Sequence, residues 1–319
     1  WRCAIDGAGL HMKAVIRFLQ RGRTWVIGLP FVWLLLFFAL PFLILLRISV
    51  TDMGGGENPF TPMYSYVGGS LQLLLHYNHY LSIFSDDTAL GWMQTLYVQG
   101  YLTSLRYAFF TTVFCLVLGY PFAYFLARSR PAFRTPLLML VMLPFWTSLL
   151  LRVYAWKGIL ADNGIVNRSL MALGVVAEPV QMLYSDTAML IAMTYIYLPF
   201  MVLPLYANLV KMDFRLLEAA YDLGASPWRA FWLVTVPLSK AGIIAGCTLV
   251  FIPALGEFVI PSLLGGAENV MIGRVVYDEM FGANNWPRAA ALAVVMILMI
   301  LLPLALYYRS QAKQQQEAA

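Results

Sequence analysis

The chain has 319 residues, of which 61% are hydrophobic and only 12% are charged. Soluble domains usually carry about a quarter charged residues, so this composition cannot cover a large core with a water-facing surface and favours a membrane protein. The formal net charge is +5. The basic residues alternate with apolar runs and form no single patch, which indicates membrane topology and excludes nucleic-acid binding as the first hypothesis.

Stretches that are apolar over about 20 residues, the length needed to cross a bilayer, occur six times. They lie between Arg23 and Arg47, at about Tyr107–Leu126, Pro136–Trp156 and Thr187–Val210, from Ala241 past Glu257, and at about Ala289–Tyr308. We therefore predict an all-α integral membrane protein with an N-terminal tail over residues 1–23, a transmembrane domain over 24–309 and a polar tail over 310–319. Because Met12 is a plausible start, residues 1–11 are expected to lie outside the functional unit.

Lysine and arginine concentrate on one side of these predicted spans. They occur in the N-terminal tail, after the second and fourth spans, and in the C-terminal tail, whereas no Lys or Arg lies between Arg47 and Arg106. Basic residues favour the cytoplasmic side, so both termini are predicted to be cytoplasmic, as an even number of spans requires. The segment between Arg47 and Arg106 is then external, with a short helix expected around Leu71–Tyr80.

Few residues in the chain point to catalysis. The three cysteines are scattered, and no lysine is followed by Ser or Thr, so the chain has no P-loop. His76 and His79 are three residues apart but lack a third ligand at a suitable spacing. We predict no metal site, no bound cofactor and no enzymatic activity for this chain.

The connection after the fourth predicted span has the pattern of helix, break, helix. Glu218-Ala219-Ala220 favours helix, and Gly224 can end that helix in the left-handed conformation. Ser226 can cap a second helix that has Pro227 in its first turn. The small residues of this connection, Ala219, Ala220 and Gly224, allow another surface to approach closely. Trp228 and Phe231 are predicted to be exposed apolar anchors. The pattern indicates a docking element on the cytoplasmic face.

The same connection resembles the EAA loop of binding-protein-dependent ABC importer permeases. The resemblance rests on Glu218-Ala219-Ala220, three residues, Gly224, nine residues, and Val234-Thr235-Val236-Pro237, where the family usually has Ile-x-Leu-Pro. In the family, this loop forms a coupling helix that lies in a groove of the ATPase subunit. The resemblance assigns ATPase coupling to nine residues: Glu218, Ala219, Ala220, Asp222, Gly224, Ser226, Pro227, Trp228 and Arg229.

Other stretches resemble the spermidine/putrescine permease group, closest to its putrescine-type first permease. They are Gly119–Ala123, Leu143–Ser148, Arg152–Trp156, Gly256–Pro261 and Met271–Gly273. The resemblance implies the type I importer permease fold, a bacterial inner-membrane location, and a heterodimer with a second homologous permease. It also implies two ATPase subunits that use ATP and magnesium, a periplasmic solute-binding protein, and a small cationic substrate.

Ionisable residues at membrane depth are candidates for the translocation path. Glu257 could be the counter-charge of a cationic substrate, or it could form a structural ion pair with Arg152. Aromatic faces suit both the methylenes and the ammonium groups of a polyamine, although such residues also form interfacial belts. The remaining path candidates are Arg152 and the aromatic residues Trp146, Tyr154, Trp156, Tyr195 and Tyr197. A permease for another small organic solute and a secondary carrier that works without ATP stay open as alternatives.

Overall fold

The computed structural model describes residues 2–55, 58–67, 70–84, 96–266 and 269–317. The described part is mainly helical. Its longer helices are α1 (Arg2–Ser49), α3 (Leu96–Arg128), α4 (Pro131–Met142), α5 (Leu149–Leu160), α7 (Asp186–Leu209), α11 (Lys240–Leu255) and α14 (Trp286–Glu317). Its shorter helices are α2 (Asn78–Phe84), α6 (Ile165–Ala172), α8 (Arg215–Asp222), α9 (Pro227–Ala230), α10 (Val236–Leu238), α12 (Val259–Leu264) and α13 (Ile272–Tyr277).

Helices α3, α7 and α11 pack against one another and form the centre of the fold. Small residues let their backbones approach closely, as in other membrane helix bundles. A Cβ atom at Gly242 would lie 2.7 Å from Cβ of Asn208, and one at Gly246 would lie 2.7 Å from Sδ of Met201. Gly242 and Gly246 therefore form the close contact between α11 and α7.

The described residues contain three continuous helices that are long and apolar enough to cross a membrane: Trp25–Ser49, Leu96–Arg128 and Asp186–Leu209. Two bent helix pairs pass the same test, and α14 begins with a shorter apolar stretch, Trp286–Leu301. With each bent pair counted as one span, the described residues hold up to five candidate crossings, which lie near the first five predicted ones, and the shorter stretch lies near the sixth. The first candidate crossing packs mainly on α14, and most of its side chains are exposed, as expected of a helix that faces lipid.

The third predicted span is not a single helix. A 3₁₀ turn over Leu143–Trp146 follows α4, Thr147 is extended, and the chain bends by 88° between Pro131–Trp146 and Leu149–Ala172. Proline lacks the amide hydrogen that a helix needs, and the turn instead closes through a bond from the Thr147 amide to the Pro144 carbonyl, 3.2 Å long. The span predicted at about Pro136–Trp156 is therefore broken in its middle.

The fifth predicted span ends earlier than expected. Helix α11 begins at Lys240, close to the predicted start, but it ends at Leu255, after Pro253 in its last turn. Gly256 and Glu257 lie in the break before α12, so the prediction that the span continues past Glu257 is wrong. The start of α11 is also bent, by 69° relative to Pro227–Leu238.

The segment between α1 and α3 contains a two-stranded antiparallel hairpin, β1 (Tyr64–Val67) and β2 (Ser70–Leu73). The predicted helix around Leu71–Tyr80 is therefore only partly right, since α2 begins at Asn78. Aromatic and β-branched residues in β1 favour strand over helix.

The N-terminal end of α7 is fixed to α3, where Arg106 lies 2.6 Å from Asp186 and the Tyr107 hydroxyl donates to the same carboxylate over 2.7 Å.

The close contact between α11 and α7 predicts opposite effects of the same substitution at two helical glycines. Gly242→Ala places a methyl against Asn208 and should destabilise the fold by about 1–3 kcal/mol, as overpacking does. Gly158→Ala is the control, because nothing lies within 4 Å of its added Cβ, and it should stabilise α5 by about 0.5–1 kcal/mol. Thermal unfolding of the detergent-solubilised chain checks this, and equal Tm values for the two variants would contradict the packing.

Candidate functional site

The loop between α7 and α11 (residues 210–239, the α7–α11 loop) has the predicted arrangement of helix, break, helix. Helix α8 ends at Asp222, and Gly224 adopts a left-handed φ of +82°. The Gly224 amide donates to the Tyr221 carbonyl over 2.9 Å and the Ala225 amide to the Ala220 carbonyl over 3.0 Å, which is the Schellman pattern of a helix C-terminus. The predicted glycine cap is confirmed.

The second helix of the loop begins as predicted. The side chain of Ser226 accepts a hydrogen bond from the Arg229 amide over 3.4 Å, and Pro227 is the first residue of α9. A side-chain acceptor at this position satisfies one of the amides that a helix start leaves free. The cap and the proline together fix where the chain turns back toward α11.

The α7–α11 loop presents one face outward and one inward. The inward face includes Leu217 and Ala230, which are 4% and 1% exposed. The residues for which ATPase coupling is predicted lie mostly on the outward face: Glu218, Ala219, Asp222, Gly224, Ser226, Pro227, Trp228 and Arg229 are exposed and Ala220 is half-buried. The sequence prediction omitted Leu223, which is 89% exposed. Its signal is an apolar residue immediately before the capping glycine.

Phe231 does not have the exposed position predicted for it. Its ring is half-buried and meets the rings of Tyr120 and Tyr124 on α3 edge-on, at centroid distances of 5.4 and 6.2 Å. Trp228 is the exposed anchor, 71% accessible, and its ring stacks on Phe231 with a centroid distance of 6.2 Å. The prediction for Phe231 was wrong because its partners on α3 lie more than one hundred positions away in the sequence.

Glu257 lies in the break between α11 and α12 and is 8% exposed. Its Oε1 atom accepts the amides of Phe258 and Val259 over 3.1 and 2.9 Å, and its Oε2 atom accepts the hydroxyl of Tyr197 over 2.5 Å. A broken membrane helix leaves amides that must be satisfied within the protein. The carboxylate therefore holds the start of α12 and joins it to α7.

The ion pair considered between Glu257 and Arg152 is not formed in the described part of the chain. Arg152 lies on α5, and its Nε atom is buried without a hydrogen-bond partner among the described residues. Glu257 is instead satisfied by two backbone amides and by the hydroxyl of Tyr197. The sequence prediction could not anticipate this, because it treated Glu257 as part of a continuous helix with no free amides nearby.

The structure separates the aromatic path candidates into different places. Tyr197 is buried beside Glu257, whereas Trp156 and Tyr195 meet edge-on, with ring centroids 5.5 Å apart. These two rings line an apolar groove of about 480 Å³ between α3, α5 and α7. Trp146, just before the bend after α4, and Tyr154, on α5, are 87% and 55% exposed.

An exposed row of three aromatic rings next to Glu257 was missed from the sequence. Phe258 stacks on Tyr277 with a centroid distance of 5.1 Å and an interplanar angle of 13°, and Tyr277 meets Phe281 at 4.9 Å. The i,i+4 spacing of Tyr277 and Phe281 was the available signal. All three rings are more than a third exposed, so this row is an apolar surface beside the α11–α12 break.

The described residues contain no group of three or more His, Cys, Asp or Glu side chains that could hold a metal ion. His79 lies 3.6 Å from Asp52, and burial lowers the pKa of its imidazole. Near the start of α14, Glu279 accepts the Tyr97 hydroxyl over 2.6 Å and lies 3.9 Å from Arg288. These polar contacts join loops to helices.

Comparisons with known proteins agree on one family. The model of the binding-protein-dependent transport system inner membrane component matches residues 116–316. The spermidine/putrescine transport system permease protein PotB of Haemophilus influenzae is 36% identical over 284 residues, which cover 89% of this chain and 92% of that protein. PotB of Escherichia coli K12 is 42% identical over 228 residues, 72% of this chain and 83% of that protein.

Solved structures show the same fold. A chain of a bacterial alginate ABC transporter, crystallised with an alginate-bound periplasmic protein, matches with a TM-score of 0.61 at 17% identity, over 89% of this chain and 94% of that chain. The likeness extends over nearly all of both chains and identifies the arrangement of helices as that of an importer permease of type I.

The contacts of Glu257 predict a selective loss of stability. Tyr197→Phe removes only the hydroxyl that donates to Glu257, and leaving a buried carboxylate oxygen without its donor should cost about 1–3 kcal/mol. Tyr195→Phe is the matched control on the same helix, because its side chain is exposed. Thermal unfolding in detergent measures both, and a Tyr197→Phe variant as stable as Tyr195→Phe would show that the hydroxyl does not hold the break.

Proposed function

The chain belongs to the family of binding-protein-dependent transport system inner membrane components, and on that premise we propose that it is the permease subunit of an ATP-driven importer of polyamines. One observation carries the proposal of ATP-driven work: the α7–α11 loop is a capped helix–break–helix whose outward face exposes Leu223 and Trp228. Exposed apolar side chains on an ordered loop favour docking to a protein partner.

The partner that fits this loop is an ATPase subunit. In the proposed complex, its surface contacts the outward face formed by Glu218, Leu223 and Trp228, and the small residues Ala219 and Gly224 allow close approach. Both ends of the loop continue into α7 and α11, which belong to the centre of the fold. Movement of the ATPase would therefore act on the helices that pack together in the membrane. ATP and magnesium are bound by that partner, and no cofactor is assigned to this chain.

The proposed assembly contains this chain, a second homologous permease, two ATPase subunits and a periplasmic solute-binding protein. The names of the PotB relatives support polyamines such as putrescine and spermidine as the substrate class. The concentration of Lys and Arg on one side of the spans supports an orientation in the bacterial inner membrane with both termini in the cytoplasm.

The substrate path is proposed to lie along an exposed face that this chain shares with the second permease. Trp146 and Tyr154 are the most exposed of the path candidates, and the row at Phe258 adds further exposed rings. Aromatic faces attract ammonium groups. Glu257 contributes negative charge near this row, although its oxygen atoms already accept three hydrogen bonds.

The direct test is uptake into proteoliposomes that contain the whole complex. Labelled putrescine and spermidine should accumulate only with ATP inside the vesicles and binding protein outside, whereas a neutral solute of similar size should not. Uptake of the neutral solute in place of both polyamines would favour another substrate. Uptake of polyamine by this chain alone, without ATP, would support a secondary carrier and contradict the proposal.

Two left-handed glycines provide a matched test of docking. Gly224 and Gly174 both follow a helix, have φ values of +82° and +69°, and have open space around an added Cβ. Gly224→Asp places a charge on the proposed docking face and should reduce ATP-dependent uptake by about tenfold or more, since a poorly paired interfacial charge costs about 1.4 kcal/mol or more. Membrane insertion should persist, and Gly174→Asp should transport normally. Equal uptake by the two variants would contradict docking at the α7–α11 loop.

A further inference from the structure

One face of α3 contacts the α7–α11 loop at its beginning, middle and end. Tyr120, Tyr124 and Arg128 are spaced four residues apart, which places them on the same side of the helix. We call these three residues the α3 face. The corresponding loop residues are Phe214, Phe231 and Ser239, which stand before α8, at the end of α9 and between α10 and α11.

The first contact is a cation over two rings. The guanidinium carbon of Arg128 lies 5.6 Å from the centroid of the Tyr124 ring and 5.9 Å from that of Phe214, within the range of cation–π attraction. Arg128 also donates to the Tyr124 hydroxyl over 3.1 Å. The last turn of α3 is therefore joined to the residue that precedes α8.

The second contact is the ring of Phe231 between Tyr120 and Tyr124. The two interplanar angles are 87° and 90°, the edge-to-face geometry that aromatic pairs prefer. The third contact is a hydrogen bond of 2.7 Å between the hydroxyls of Tyr120 and Ser239. Tyr120 is only 7% exposed, so this end of the α3 face belongs to the core of the fold.

The covalent route from the α7–α11 loop into α11 is interrupted. The segment Phe231–Thr235 is a π-helix, a local form that is rare and common at functional sites. The Thr235 hydroxyl within it is buried without a hydrogen-bond partner among the described residues. The chain then bends by 69° before α11. Movement of the loop can be absorbed by these irregular segments on its way to α11, whereas the side-chain contacts with α3 are direct.

From these contacts we infer that α3 receives the movement of the ATPase and that Phe231 is the positioning residue that transmits it. This inference rests on the proposed function. An inward push on the outward face, at Trp228, would press Phe231 against Tyr120 and Tyr124 and displace the end of α3. Because α3 packs along both α7 and α11, its displacement would rearrange the centre of the bundle.

The test measures polyamine transported per ATP hydrolysed by the complete complex in proteoliposomes. Phe231→Leu keeps an apolar side chain but removes the edge-to-face contacts, and the ratio should fall by about tenfold, a typical loss of coupling between two sites. ATPase binding and basal ATP hydrolysis should be retained. Phe133→Leu is the control, because this ring is exposed near the start of α4, and its ratio should equal that of the wild type.

A second pair of variants changes the same contact on its α3 side, so the test does not depend on correct folding of Phe231→Leu. Tyr124→Leu should uncouple transport in the same way, whereas Tyr124→Phe keeps the ring and should retain a near-normal ratio. The inference is overturned if Phe231→Leu and Tyr124→Leu both transport normally, or if transport and ATPase binding are lost together, which would make these residues part of docking. Failure of the proposed function is distinguishable, because the wild-type complex would then show no ATP-dependent uptake.

Discussion

The close contact between α7 and α11 is the constraint on which the rest of the structure depends. Gly242 and Gly246 bring the α11 backbone against Pro204 and Met201 of α7, with no room for another methyl at Gly242. Since lipid gives little hydrophobic drive for helices to associate, close backbone approach and van der Waals contact must hold the two helices together. Their fixed separation also fixes the two ends of the α7–α11 loop, so the loop can be a compact, capped unit. An ordered loop favours docking, because a loop that became ordered only on binding would lose conformational entropy at that step.

The breaks in the helices have a common physical explanation. Proline or glycine interrupts the hydrogen-bond ladder, and the freed backbone groups must find partners inside the protein when they lie at membrane depth. After α4, the partner is the Pro144 carbonyl in a 3₁₀ turn. After α11, the partner is the carboxylate of Glu257, which accepts two amides of the next helix. Glu257, the proposed counter-charge for a cationic substrate, therefore also holds the start of α12 in place. Its removal would affect both stability and transport.

The sequence predicted the features that depend on local chemistry. Apolar runs located the crossings, and the positions of Gly224, Ser226 and Pro227 specified the cap and the restart of the α7–α11 loop, because left-handed glycine and serine N-caps act within a few residues. The bends in the helices were missed because the apolar composition continues through them. The surroundings of Glu257 were missed because its partner Tyr197 lies 60 positions away in the sequence. The contact of Phe231 with α3 and the row beside Phe258 also join distant segments, and neither hydropathy nor motif spacing reports such contacts.

The outward face of the α7–α11 loop is the proposed docking surface for an ATPase in the cytoplasm. Leu223, 89% exposed and beside the capping glycine, is the best position for a reporter. In a variant whose native cysteines are replaced, Leu223→Cys would be treated with a short bifunctional thiol reagent in membranes that contain the complete complex. We expect a cross-link to the ATPase subunit that changes with ATP, and labelling by an impermeant maleimide only from the cytoplasmic side. Labelling from the opposite side, or an unlinked ATPase in a complex that transports, would contradict the account.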